Sequence, residues 1–250
     1  MIQRDGKINA IRRMLAAGLV LLVVVPAALA GPFVTAGGKA ATPTQYVITF
    51  KTIEFQNAGG AYYTFFSGSQ TLDIGSVAAG GVGGSVGSGQ SLPAGRYDAI
   101  RVTFSRDFSI TASATSVGTG TANCGTGGSA ADESIGAPAY TVQVVNRNLG
   151  GAVTTTSDTL SVPPEANTAI GGVSGMAVVG SAFENIQVTN VISAFTVLAT
   201  DTVPPAFTVQ FDVTNTVEFL DVSSKCYAII LPPTVTYITP TGTTTFTGPL

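Results

Sequence analysis

Ser91-Leu-Pro-Ala-Gly-Arg-Tyr-Asp-Ala-Ile-Arg-Val-Thr-Phe104 runs from a turn straight into a strand. Pro93 presets its own backbone angle and Gly95 permits conformations that other residues resist, so Leu92, Pro93, Ala94 and Gly95 make the turn and Arg96 leads out of it. From Tyr97 to Phe104 the apolar residues recur with period two. Ile100, Val102 and Phe104 share one face, and Arg101 and Thr103 share the other, which assigns Arg101 to a solvated face rather than a buried site. Asp107 to Ala112 continues this strand or pairs with it.

The same grammar extends in both directions. Upstream, Tyr46 to Phe55 reads as a strand in which Lys51 and Glu54 are tolerable only toward solvent; Asn57-Ala-Gly-Gly60 is a turn, and Ala61 to Phe66 is the hairpin partner. Thr71 to Ile74 adds a short strand. Gly75 to Gly89 and Thr115 to Ala137 read as loops rich in glycine and small residues; the first lacks the lysine that a phosphate-binding loop requires. Downstream, Tyr140 to Val145 and Val153 to Val162 are strands, Pro163-Pro164 is a stop, and Val173 to Val179 is an apolar run without charge. Ile186 to Leu198 holds two strand-length pieces. Phe207-Thr-Val-Gln-Phe-Asp-Val213 gives the cleanest alternation, with Phe207, Val209, Phe211 and Val213 inward. Thr216 to Leu220, Cys226 to Leu231 and Thr234 to Ile238 follow. About ten short strands without a capped helical pattern predict an all-β domain over residues 45–238, an immunoglobulin-like or transthyretin-like β-sandwich.

Ahead of the domain lies a segment to be set apart from the fold. Arg4, Lys7, Arg12 and Arg13 precede the apolar run Met14 to Val25, and Pro26-Ala-Ala-Leu-Ala30 supplies a helix breaker with small residues at Ala28 and Ala30. This is the layout of a secretory signal, a helix over residues 1–30 cut between Ala30 and Gly31. The alternative is a retained membrane anchor, because about 20 apolar residues suffice to span a bilayer. Residues 31–44 then form an extended lead, and residues 239–250 a Thr-rich tail. Removal of the signal takes away four basic residues and Asp5, leaving 7 basic against 13 acidic, a net charge of −6. So few cations cannot neutralise many phosphates, which excludes nucleic acid as a partner and gives the processed chain no attraction to an anionic membrane.

The residue inventory narrows the chemistry further. There is no histidine and no tryptophan, which removes imidazole bases, most hydrolytic triads and most zinc sites. Carboxylate pairs such as Asp132-Glu133 or Asp201 with Asp212 are the remaining hydrolytic candidates. Asp107, Asp132, Glu133, Asp158 and Asp221 fall in or near loops but form no calcium-loop motif, so a solvated acidic surface is expected. No enzyme, metal site or cofactor is predicted. The two cysteines, Cys124 and Cys226, fit an exported compartment as one intramolecular disulfide, the alternative being two free thiols too far apart to bond.

Leu92-Pro-Ala-Gly-Arg-Tyr-Asp-Ala-Ile-Arg101, with the later Phe211-Asp-Val213 and the Tyr227-Ala-Ile-Ile-Leu-Pro232 close, resembles a family of uncharacterised exported bacterial and archaeal β-sandwich domains carrying L-P-A-G-x-Y-x-x-I-R. The turn and strand are also similar to those of carboxypeptidase-regulatory-type sandwiches. Many members of the family are lipoproteins, and this chain departs from them in having no cysteine near the cut. The resemblance, over about residues 45–238, implies an exported sandwich of the periplasm, cell surface or medium. It transfers no catalytic residue. Two roles follow: a self-contained module binding a protein or surface glycan through its loops, or a fibre subunit that self-associates by donating a strand from the lead or the tail.

Overall fold

The computed structural model describes residues 38–76, 91–118, 120–128, 132–135, 140–161, 176–182, 184–201, 207–230 and 233–246, all within a compact unit, Gly31–Leu250. The expected signal segment with its expected cut at Ala28, Ala30 and Gly31, the glycines of 77–89, Pro163-Pro164, Leu231-Pro232 and the end of the tail lie outside the described residues.

The described residues form seventeen strands and no helix. They are β1 (Lys39–Ala41), β2 (Gln45–Asn57), β3 (Tyr62–Asp73), β4 (Gly95–Ser105), β5 (Asp107–Thr111), β6 (Ser113–Val117), β7 (Ala122–Gly125), β8 (Asp132–Ile135) and β9 (Tyr140–Leu149). β10 (Asp158–Ser161), β11 (Met176–Val179), β12 (Asn185–Val197), β13 (Thr208–Asp212), β14 (Val217–Val222), β15 (Lys225–Ile230), β16 (Thr234–Thr239) and β17 (Gly242–Phe246) follow. The strand pairs are antiparallel and build three sheets. The first runs β1-β14-β15-β9-β7-β6 with β8 on β9, the second β10-β5-β2-β4-β12-β11 with β3 on β2, and the third β13-β16-β17.

Period-two patterning explains the second sheet once its slips are counted. Ile48 and Phe50 are buried at even positions and Ile53 and Phe55 at odd ones; the register shift between Phe50 and Thr52 absorbs one extra residue and keeps all four on the core face. In β4, Ile100, Val102 and Phe104 are buried as the alternation predicts, but Thr103 on the opposite face is buried too. Asp107–Thr111 continues β4: both lie along β2, and at the Arg106 break the outer neighbour changes from β12 to β10. The hairpin turn at Asn57 is held by its side-chain oxygen, which accepts from the N–H groups of Gly59 and Ala61. Ala61–Phe66 and Thr71–Ile74, read as separate strands, are one strand, β3, joined through irregular pairing. The two pieces of Ile186–Leu198 are likewise one strand with a register shift between Val191 and Phe195.

The largest departure from the sequence reading is Thr115–Ala137. It carries most of β6 and all of β7 and β8, and Cys124 lies in a buried strand rather than a flexible loop. Its glycines serve close approach. A Cβ on Gly125 would stand 2.7 Å from Thr155 Oγ1, and one on Gly127 would collide with the same atom of Thr156. Val153–Ser157, expected as strand, is instead the irregular segment packed on those glycines, and only Asp158–Ser161 of that stretch is a strand. Glycine and threonine here are two halves of one contact. The extended lead and the Thr-rich tail both carry paired strands: β1 in the lead pairs with β14, and β17 in the tail pairs with β16.

One buried cluster draws on all three sheets, including Val217 and Phe219 from the first, Ile48 and Phe104 from the second and Val235 and Tyr237 from the third. Phe55 is its aromatic hub, with Phe65, Tyr97, Phe195 and Phe207 at centroid distances from 4.9 to 6.3 Å. Burial pushes the Tyr237 phenol up from 10.0 to about 12, partly offset by a hydrogen bond from Asn190 Nδ2, and burial raises Tyr46 as well. The unfolded chain gives up these protons near pH 10 while the folded chain keeps them. Stability is therefore full below pH 10 and falls as pH climbs toward 12, by about 2–3 kcal/mol through Tyr237 alone. Phenolate absorbance should lag behind that of a tyrosine model peptide until the fold melts.

Candidate functional site at the disulfide-closed end

β7 and β15 pair with successive stretches of β9, Cys124 opposite Arg147 and Cys226 opposite Val145. The β6–β7 hairpin also lies against β14 and β15. Cys124 and Cys226 are bonded between β7 and β15, with their Cα atoms 5.7 Å apart and both residues fully buried. Beside them Arg147 donates from Nε and Nη2 to the two carboxylate oxygens of Asp221, at 2.8 and 3.0 Å. The guanidinium is thereby held protonated above its ordinary range, chiefly by this hydrogen bond. Asn123 ties the neighbouring turns together, accepting from the Ser116 N–H and donating to the Gly151 carbonyl.

These contacts gather the β6–β7 turn, the β14–β15 turn and the end of β9. Ser116, Ser223 and Ser224 all have positive φ there, the last two as the central pair of a tight hairpin where glycine or asparagine is usual. Gly118 has positive φ as well, and a Cβ on it would press on Asp221 Cβ at 3.1 Å. Leu149 and Val222 present aliphatic side chains, 59% and 46% exposed, on this surface. The arrangement is a pinned set of turns with a fixed ion pair and exposed apolar atoms.

Five of the carboxylates singled out from sequence have hydrogen-bond partners in the structure. Asp201 accepts from the Leu198 N–H, and Asp212 accepts from the N–H and hydroxyl of Thr214, which lowers its pKa; each carboxylate holds its own turn. Asp107 accepts from Ser161, Asp158 from Gly127 N–H and Gln143, and Asp221 from Arg147. Asp132 and Glu133 lie in β8. Among the described residues there is no group of three His, Cys, Asp or Glu that could hold a metal ion.

The Leu92–Arg101 motif lies in the second sheet. Tyr97 enters the core from β4 and donates from its hydroxyl to the Pro93 carbonyl at 2.7 Å, so the tyrosine bolts the turn that precedes it. Pro93, Gly95 and Tyr97 thus form one structural unit, with Leu92 and Ile100 buried beside it. Tyr97→Phe should lower stability by about 1 kcal/mol, read as a shift of the urea midpoint at unchanged slope. Arg101 is not simply solvated. Its side chain is 26% exposed, forms a two-point ion pair with Glu54 at 2.8 and 3.0 Å and stacks 3.6 Å over the Tyr62 ring. The Arg147–Asp221 and Glu54–Arg101 pairs and the Asn123 tie leave no signal in the sequence, since each joins residues far apart in the chain or lies in a stretch rich in glycine and small residues.

Comparison of the chain with protein-family models, with curated proteins and with solved structures finds no match.

Proposed function

We propose that this chain is an exported, non-catalytic β-sandwich of immunoglobulin-like or transthyretin-like style, in the periplasm, on the cell surface or in the medium. It serves as a scaffold that engages a protein or glycan through the turns at its disulfide-closed end. The observation that carries this reading is the buried Cys124–Cys226 bond, because such bonds persist in oxidising compartments and are rare in reducing ones. The basic-then-apolar start of the sequence supports the same compartment, and the absence of histidine supports a role without acid–base chemistry. Loop clusters on a rigid β scaffold are the usual seat of recognition, and Leu149 and Val222 give this one its apolar contact atoms.

Fractionation of the producing cell with N-terminal sequencing tests the reading. A chain beginning at Gly31 outside the cytoplasm is expected; an intact Met1 start in the cytoplasm would sink the proposal. The fibre reading gains support at one end only. β17 is hairpinned to its sequence neighbour, whereas β1 pairs with a strand far along the chain.

A further inference from the structure

The seat of β1 is specific at consecutive positions. Gly38 lies so close over Glu218 and Leu220 that a Cβ would collide with the Glu218 carboxylate. Lys39, Ala40 and Ala41 pair with Phe219, Glu218 and Val217, and Ala41 is buried. Lys39 Nζ reaches across to donate to the Thr115 carbonyl on β6, while Thr42 Oγ1 accepts from the N–H of Asn215, a residue with positive φ. The groove flanked by β14 and β6 therefore reads a short extended peptide, with the close contact of Gly38 favouring a small residue first and Lys39 giving a cation second. Without that peptide the edge of β14 would stand open for pairing.

Three properties make this strand exchangeable where β17 is not. It is the first strand of the described residues, with β2 following it in the chain. Only three residue pairs hold its ladder. Its link to β2 is Thr42-Pro43-Thr44, and a short proline-containing hinge lowers the gain from folding back onto the same copy. β17, by contrast, is joined to β16 by a tight turn, which holds it at very high effective concentration.

We propose that copies of this protein exchange β1, the β14–β6 groove of one copy taking Gly38–Thr42 of a second. The inference deepens the fibre reading and does not depend on which partner the disulfide-closed end binds. The test is light scattering on the oxidised, exported chain after refolding over a range of concentrations, with and without excess synthetic peptide of residues 36–44. Masses of two or more chains that grow with concentration and return to one chain with the peptide are expected. A single-chain mass at every concentration overturns the proposal, and so do multimers that the peptide leaves unchanged. Gly38→Val should abolish the multimers, its folding checked by near-UV circular dichroism. If that variant does not fold, Lys39→Ala is used instead and should lower the multimer fraction severalfold. A correct Gly31 start outside the cytoplasm combined with a monomer would leave the exported-scaffold reading standing and end the exchange proposal alone.

Discussion

Replacing both cysteines, Cys124→Ala with Cys226→Ala, is expected to lower the unfolding free energy by about 4–5 kcal/mol. The bridge spans a sequence separation of 102 residues, so it removes a large share of the freedom of the unfolded chain. The chain-entropy relation places a loop of about 100 residues near the upper end of single-disulfide effects. The folded state is also affected, because two fully buried sulfurs are replaced by smaller methyl groups in the core. The bridged strands should loosen before the rest: hydrogen exchange in the double variant should rise first in β6 and β7, while β2 and β4 keep their protection. Urea unfolding of oxidised wild type and variant gives the total. A loss under about 1 kcal/mol would mean that the β6–β7 hairpin is held without the bond.

Phe55→Ala should be nearly as costly, about 3–5 kcal/mol. The ring is buried and contacts four aromatic neighbours, three of them on strands of the second sheet and Phe207 at the start of β13, so its removal opens a cavity between two sheets. Those neighbours are themselves held: Tyr97 by its hydroxyl on Pro93 and by stacking on Phe195, and Phe207 by stacking on Tyr237. A cavity walled by fixed rings collapses poorly, which favours the high end of the range. Phe55→Leu should recover most of the loss. Thermal and urea unfolding of the pair would show it, and equal midpoints for the alanine variant and wild type would contradict the hub role.

Much of the fold is legible where side chains alternate in size and polarity. Tyr46–Phe55, Tyr97–Phe104 and Phe207–Val213 carry enough apolar bulk to declare their faces; the first two lie within strands, the third brackets β13, and their inward residues are in or against the core. The reading weakens where the core is made of small residues. Ala122, Cys124 and Gly125 are buried in β7, Gly125 against Thr155, and a composition of Gly, Ser, Thr and Ala carries no periodic signal. Bulges hide continuity in the same way. The register shift in β12 splits one apolar face into two, and the Ser193 N–H at that place donates to the Thr244 hydroxyl oxygen of β17, a tertiary contact with no local trace. The candidate site was legible in its cysteines alone. Arg147 and Asp221 are 74 positions apart and acquire meaning only when β9 and β14 are brought together.

Non-reducing peptide mapping by mass spectrometry, on protein isolated from the compartment where it accumulates and alkylated at lysis, tests the exported and disulfide-closed scaffold most directly. The expected result is a single linked peptide pair carrying Cys124 and Cys226, with no alkylated thiol. Full alkylation of both cysteines in otherwise folded protein would contradict it, placing the chain in a reducing compartment and leaving its closed end unpinned.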